Sequence, residues 1–359
     1  MKILILANND VGLYQFRREL IEALGHQNEI HISLPYGELI EQLTKMGCHY
    51  VETPIDRRGM NLIRDMGLFL SYWKMLKKLQ PDLVITYTIK PNVYGGFASR
   101  LLGIPYAVNI TGLGTAFQGS GMLRKIVTLM YKLSCRKAKV VFFENSENRR
   151  IFLDAGIVKE EQTCLLNGAG VNLSHYQAAE YPDGETTRFL FVGRVMKEKG
   201  IEELFTAMKR LISDGISCSL DILGGYEEDY QSRIQQYRSE GWLHYHGYVG
   251  DVRPFIAASH CFVLPSWHEG MANTNLECAA SGRPIITSNI HGCLEAVEDG
   301  VTGFLCEKQN PDDLYQTMKR FAGLSYEQRK AMGLAGRKRM EALFDKNQVV
   351  EQTVAHLMK

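Results

Sequence analysis

The chain has 359 residues, 45% of them hydrophobic and 23% charged, with a formal net charge of +1. That balance excludes an intrinsically disordered chain, and near-neutrality argues against a dedicated nucleic-acid binder, whose affinity rests on neutralising phosphates. At roughly 150 residues per domain, the length predicts two domains.

The first apolar run, Ile3–Ala7, reads as a strand and stops at Asn8, too short for the hydrophobic segment of a secretory leader. A helical period follows over Tyr14–Leu24, then a strand at Glu29–Ser33 and a helix over Ile63–Leu79. Strands at Leu83–Thr86 and Tyr106–Asn109, a helix over Met122–Arg136, and strands at Val140–Phe143 and Cys164–Leu166 complete a first block. After a polar bridge near 172–187 the alternation restarts. Phe189–Val192, Ser219–Leu223, His244–His246, Cys261–Leu264 and Pro284–Thr287 read as strands; Ile201–Leu211, Asn273–Ser281 and Pro311–Phe321 read as helices. Near-continuous apolar strands alternating with helices predict parallel sheets covered on both faces. The expected fold is therefore α/β, with two Rossmann-like parallel-sheet domains at 1–172 and 173–344 and a cleft between them. A C-terminal helix near 345–359 is expected to pack back on the first domain.

No segment reaches the ~18 apolar residues a membrane-spanning helix needs. The eight cysteines are scattered, without a C-x-x-C pair or a His/Cys cluster at metal spacing. They read as reduced thiols of a cytoplasmic chain that at most lies on a membrane. Charge is uneven: residues 1–172 hold 21 basic and 15 acidic side chains, and 173–359 hold 20 and 25. From Leu83 to Phe143 there is no acidic residue, while Lys90, Arg100, Arg124, Lys125, Lys132, Arg136, Lys137 and Lys139 all fall there. One face of the first domain should therefore meet something anionic. Within Met122–Arg136, Leu123, Ile126, Val127, Met130 and Leu133 form one stripe flanked by Arg124, Lys125, Lys132 and Arg136. The stripe packs on the sheet beneath a basic outer face, or the helix lies on an anionic membrane surface, and the two can hold together.

In such sheets ligands bind beyond the carboxyl ends of the strands, where strand order reverses. Three familiar motifs fail there. Gly112-x-Gly114 has Phe117 where a dinucleotide fingerprint needs its third glycine, no G-x-x-x-x-G-K-[ST] exists, and His268-Glu269 has Ala272 where a zinc helix needs a second histidine. No two aspartates are spaced i, i+2, so no metal site is expected. Two loops remain. Gly193-Arg194-Val195-Met196-Lys197-Glu198-Lys199-Gly200 sets two cations at a helix N-terminus, which suits a diphosphate or is simply a solvated basic turn. Pro265–Glu277 carries Glu269 before a helix and Glu277 two turns inside it. These suit sugar and ribose hydroxyls, or are a dipole-favoured charge and a solvated helix face.

Taken together, the two loops resemble the nucleotide-sugar site of the retaining glycosyltransferase family 4, of GT-B fold. The resemblance rests on Gly193-Arg194-x-x-x-Glu198-Lys199-Gly200, on Glu269 and Glu277 with seven residues between them, and on Ala280-x-Gly282-x-Pro284-Ile285-Ile286. Gly292, Glu295 and Glu298-Asp299-Gly300-Val301-Thr302-Gly303-Phe304-Leu305 extend it. It implies a catalytic set of Glu269, Arg194 and Lys199, with Arg194 and Lys199 on the donor diphosphate, Glu269 on the donor sugar and Glu277 on the ribose. Gly193 and the backbone of Gly270, Met271, Ala272 and Asn273 would face the donor phosphates, Gly247, Tyr248 and Val249 the nucleobase, and Gly12 the donor from the other domain. Many relatives carry a histidine near Asn109-Ile110-Thr111-Gly112-Leu113-Gly114; this chain does not, which leaves a donor phosphate oxygen to take the acceptor's proton. Asn9, Asn109, Thr111 and Gly112 are the remaining candidates for sugar or acceptor contacts.

Asn8-Asn9-Asp10-Val11-Gly12 with Tyr14-x-Phe16-Arg17, and Thr86-Tyr87-Thr88-Ile89-Lys90-Pro91-Asn92, resemble the subgroup that builds bacterial capsule, O-antigen and other lipid-linked glycans. That implies a UDP-sugar donor, of hexose or N-acetylhexosamine type, and an undecaprenyl-diphosphate-linked sugar as acceptor. It also implies peripheral association with the cytoplasmic face of the inner membrane, with no cofactor, no metal and no nucleic acid. A GDP-sugar donor, a non-catalytic nucleotide-sugar-binding subunit and a UDP-sugar epimerase are the alternatives.

Overall fold

A computed structural model describes residues 1–56, 61–114, 117 and 121–359. They fold as two compact units, Met1–Ala169 with Asn347–Lys359, and Gly170–Lys346.

In the first unit the chain runs β1 (Lys2–Leu6), α1 (Asp10–Gly25), β2 (Glu29–Leu34), α2 (Ile40–Lys45), β3 (His49–Glu52), α3 (Leu62–Leu79) and β4 (Leu83–Tyr87). A π-helical turn at Pro91–Gly95 leads into α4 (Gly96–Leu102), then β5 (Tyr106–Ile110), α5 (Met122–Cys135), β6 (Val140–Phe143), α6 (Ser146–Asp154) and β7 (Thr163–Leu165). The seven strands form one parallel sheet in the order β3-β2-β1-β4-β5-β6-β7. Ile3 and Ile5 of β1 enter a core with Leu13, Leu20 and Leu24 of α1, whereas Leu4 and Leu6 enter the opposite core with Leu68, Tyr72 and Leu76 of α3. Strands buried on both faces read as unbroken apolar runs, and that made them visible in sequence.

The second unit contains β8 (Thr187–Val192), α7 (Ile201–Ser213), β9 (Cys218–Leu223), α8 (Gln231–Ser239), β10 (Leu243–Gly247), α9 (Arg253–Ala258) and β11 (Cys261–Leu264). It continues through α10 (Asn273–Ala280), β12 (Ile285–Ser288), β13 (Gly303–Cys306), α11 (Pro311–Ala322) and α12 (Tyr326–Leu343). Its parallel order is β10-β9-β8-β11-β12-β13, so strand order reverses between β8 and β11. Outgoing and returning chain pair at the crossover, where Val171 donates to the Phe344 carbonyl (2.7 Å) and accepts from Lys346 N (3.0 Å). Beyond it α13 (Lys346–Met358) sets Val349 and Leu357 into the first unit's core, the same cluster as Phe142 and Cys164.

Two strands, β3 and β13, lay outside the sequence reading. Each pairs with a single neighbour at a sheet edge. The flanks of β3 are the polar His49 and Glu52, and β13 opens on Gly303, so neither shows the apolar run of a central strand. All eight cysteines are free and buried.

Candidate functional site

The switch point between β8 and β11 gathers the two loops singled out in sequence. Gly200 has φ +72°, and a Cβ there would lie 2.0 Å from the Pro265 carbonyl oxygen; only glycine lets the first loop close on the second. A Cβ on Gly224 (φ +138°) would lie 1.9 Å from the Gly193 carbonyl oxygen, and Gly224 N donates to the Gly247 carbonyl at 2.6 Å. Gly193 and Gly247 are thereby tied together through the β9 loop. On the other side Ala272 N donates to the Gly292 carbonyl at 2.7 Å. The loops that follow β8, β9, β10, β11 and β12 are thus linked into one rim at the carboxyl edge of this sheet.

Charged groups converge on that rim. Lys199, at the end of a short 3₁₀ turn, ion-pairs with Glu269, and the Ser266 hydroxyl donates to the same carboxylate oxygen at 2.7 Å. Both partners are largely buried, so the pair is held in one geometry before any ligand arrives. Arg194 is half exposed and meets Glu227 at 3.3 Å. The Trp267 indole donates to Glu203 at 3.0 Å and its amide to the Glu198 carbonyl at 3.0 Å, which ties the second loop to the first and to α7. Glu227 and Ser266 were not assigned roles in sequence. Glu227 carries no spacing signal, because it reaches Arg194 only through the pairing of β8 with β9. Tyr248 is exposed, and Val249 packs half-buried on the core.

At α10 the expected cradle of four amides is reduced. Ala272 N is taken by Gly292 and Asn273 N by the Met271 carbonyl (3.0 Å). Gly270 and Met271 precede these two in the same loop. Glu277 is partly buried in the middle of α10, and burial pushes its carboxyl up to about 7, against the pull of a Tyr176 hydrogen bond and of Lys346. The unfolded chain loses this proton near the ordinary value of 4.5, before the folded chain does. Glu277's contribution to stability is therefore full below about pH 4.5, falls as pH rises, and is lost above about 7, a change of up to roughly 3 kcal/mol. Denaturant unfolding of Glu277→Gln across that window is expected to lack this slope; an unchanged slope would assign it to other groups.

The first-unit candidates divide. Asn9 caps the first helix: its Oδ1 accepts Gly12 N, and its Nδ2 donates to Asn8 at 2.6 Å. Asn109 is buried, its Nδ2 donating to the Thr86 carbonyl (3.2 Å), while Asn92 donates to the Asn109 carbonyl (2.8 Å). Both asparagines thus serve the local fold, Asn9 as a helix cap and Asn109 as a bond to a strand carbonyl. Thr111 and Gly112 are half-buried after β5.

Helix α5 is rotated from expectation. Its core face is Val127, Tyr131, Ser134 and Cys135, because the Tyr131 ring packs edge-on to Phe152 at 5.0 Å. The expected stripe left out Tyr131, and with it that face. Leu123, Ile126 and Leu133 of the expected stripe are instead exposed, with Met122 and Leu129 beside them. Arg124, Lys125, Lys132 and Arg136 are exposed too, and Gly121, Arg124, Lys125, Thr128, Leu129 and Lys132 line an open groove of about 460 Å³. The reading in which the whole stripe packs on the sheet is thus corrected. In the same helical layer α3 exposes Ile63, Met66 and Leu70, one side of that helix. Among the described residues no helix is long and apolar enough to cross a membrane, and no three His, Cys, Asp or Glu side chains gather as metal ligands.

Residues 2–145 match the family model described as glycosyl transferase 4-like, and residues 186–323 the model described as glycosyl transferases group 1. One relative is the N,N'-diacetylbacillosaminyl-diphospho-undecaprenol alpha-1,3-N-acetylgalactosaminyltransferase of Campylobacter jejuni, 25% identical over 371 aligned positions that span 98% of this chain and 97% of that protein. Another is the UDP-Gal:alpha-D-GlcNAc-diphosphoundecaprenol alpha-1,3-galactosyltransferase of Escherichia coli, 29% identical over 282 positions that span 73% of this chain and 72% of that protein. The crystal structure of Anabaena HepE in complex with UDP and glucose superposes with a TM-score of 0.83 at 17% identity, covering 100% of this chain and 99% of that one. At that identity the likeness speaks for the fold.

Proposed function

The chain belongs to the glycosyltransferases that these two family models describe, and from that premise we propose the reaction it carries out. It moves a sugar from a UDP-sugar, of hexose or N-acetylhexosamine type, to a sugar on undecaprenyl diphosphate, with retention of anomeric configuration and without a metal ion. The observation that carries this reading is the Lys199–Glu269 pair at the strand-order reversal, with Gly200 closed on Pro265.

Cleaving the bond between the anomeric carbon and the diphosphate leaves the electron pair on the leaving UDP. Lys199 and Arg194 neutralise that charge, and a cation already held in place needs no reorganisation as the bond breaks. Glu269 accepts hydrogen bonds from donor-sugar hydroxyls, and Glu277 from the ribose. The acceptor hydroxyl attacks from the face the diphosphate leaves, and its proton passes to a phosphate oxygen. Support for the acceptor comes from the two relatives, whose names place their substrates on undecaprenol diphosphate.

The lipid acceptor requires approach to a membrane surface, and α5 offers the chemistry for it. Exposed Leu123, Ile126, Leu129 and Leu133 enter the lipid boundary, while Arg124, Lys125, Lys132 and Arg136 meet anionic headgroups at about 1 kcal/mol each. The test is transfer in a chelator to an undecaprenyl-diphosphate-linked sugar in anionic vesicles, and to a short-chain soluble analogue. Neutralising the four basic residues is expected to reduce vesicle transfer at least tenfold and leave the soluble reaction unchanged. Equal vesicle activity would overturn α5 as the docking surface. Chelator-sensitive transfer would overturn metal independence, and an inverted product would overturn retention.

A further inference from the structure

Glu277 is gripped by a residue a hundred positions away. The Tyr176 phenol hydrogen-bonds to its carboxyl. Tyr176 sits in a turn built by Asn172, whose Oδ1 accepts the amides of Ser174 (3.1 Å) and His175 (2.9 Å) and whose carbonyl accepts Tyr176 N (2.9 Å). From α12, Arg337 Nη1 donates to the Tyr176 carbonyl at 2.7 Å and to the carbonyl of Ala280, the last residue of α10, at 2.8 Å. Its Nε is held by Glu341 at 2.7 Å. One guanidinium thus fixes the separation between the turn that carries the phenol and the helix that carries the carboxylate.

We propose that Tyr176 is a positioning residue for the donor: its phenol donates to one oxygen of Glu277 and leaves the other for the ribose diol, with Arg337 holding the pair in register. This rests on Glu277 being the ribose ligand. A neutral carboxyl offers the diol a weaker acceptor than a carboxylate. Tyr176 supplies the bond that favours the charged form against burial, Lys346 acts in the same direction, and Cys278 is the neighbouring thiol on α10. Donor affinity should therefore rise with pH, with a midpoint near 7.

The test is calorimetric titration of a UDP-sugar, whose diphosphate charge is constant over the range, between about pH 6 and 8.5. Tyr176→Phe, which removes only the hydroxyl, is expected to raise the midpoint by about one unit and to weaken binding roughly fivefold at neutral pH. Affinity should recover at the alkaline end, with kcat at saturating donor unchanged. Arg337→Gln should move the midpoint in the same direction. A loss of folded protein lowers the fraction that binds but leaves the midpoint in place, so a purely structural role is distinguishable. An unmoved midpoint in Tyr176→Phe, with the pH dependence abolished in Glu277→Gln, would overturn the inference. Unchanged affinity and pH profile in Glu277→Gln would instead overturn Glu277 as the ribose ligand.

Discussion

Lys199→Ala is expected to lower kcat for sugar transfer by about 10²–10³-fold, with donor KM changed far less. The size follows from where the amine is held. Lys199 is largely buried, paired with Glu269, and Glu269 is further fixed by the Ser266 hydroxyl. A cation so placed is not free to relax into water, and in the proposed reaction its field would act on the leaving diphosphate as charge develops. Its removal takes away that interaction and leaves the Glu269 carboxylate without its partner beside an anionic substrate, a second penalty in the same direction. Arg194→Ala should cost less, because Arg194 is half exposed, shared with Glu227, and screened by solvent. Steady-state kinetics decide the matter. A Lys199→Ala enzyme with kcat within threefold of the parent would remove Lys199 from the transition state.

The second large effect is on stability. Gly200→Ala is expected to destabilise the second unit by about 3 kcal/mol, a midpoint shift of roughly 6–12 °C for a unit this size. Two costs combine: a left-handed backbone that alanine adopts with strain, and a Cβ placed 2.0 Å from the Pro265 carbonyl. Gly215→Ala separates them, since Gly215 has φ +75° and nothing within 4 Å of an added Cβ. It should show the backbone term alone, on the order of 1 kcal/mol. Equal shifts in the two variants would mean that the contact between the loops carries no energy. Gly200→Ala should also weaken donor binding, because the loop bearing Lys199 and the loop bearing Glu269 would separate.

Much of this site is legible in sequence because its parts are local. Glycines bounding Arg194 and Lys199, and two glutamates eight positions apart, are spacing signals that survive without a fold. The junctions are not local. Lys199 meets Glu269 across 70 positions only because β8 and β11 are neighbours, and Tyr176 reaches Glu277 only because the crossover turn is strapped to α12. Asn9 and Asn109 show what sequence leaves open: short polar side chains beside a predicted site are as useful to the backbone as to a ligand, and here they cap a helix and bond a strand carbonyl. The face of α5 was misplaced because the stripe left out Tyr131, whose ring packs on Phe152. Strand β3 is exposed at its polar ends and β13 opens on Gly303, so neither shows the apolar run that makes a strand conspicuous.

The proposed function requires a uridine-diphosphate site on the second unit that needs no metal. Thermal unfolding of the purified protein with UDP, GDP, ADP and their common sugar conjugates, in a chelator, tests it most directly. A ligand at a hundred times its dissociation constant adds about 2.7 kcal/mol, enough to move a midpoint by several degrees. The expected result is stabilisation by UDP and by a UDP-sugar, undiminished by the chelator and lost in Glu277→Ala. No shift with any nucleotide, or a shift that appears only when a divalent metal is restored, would contradict the account.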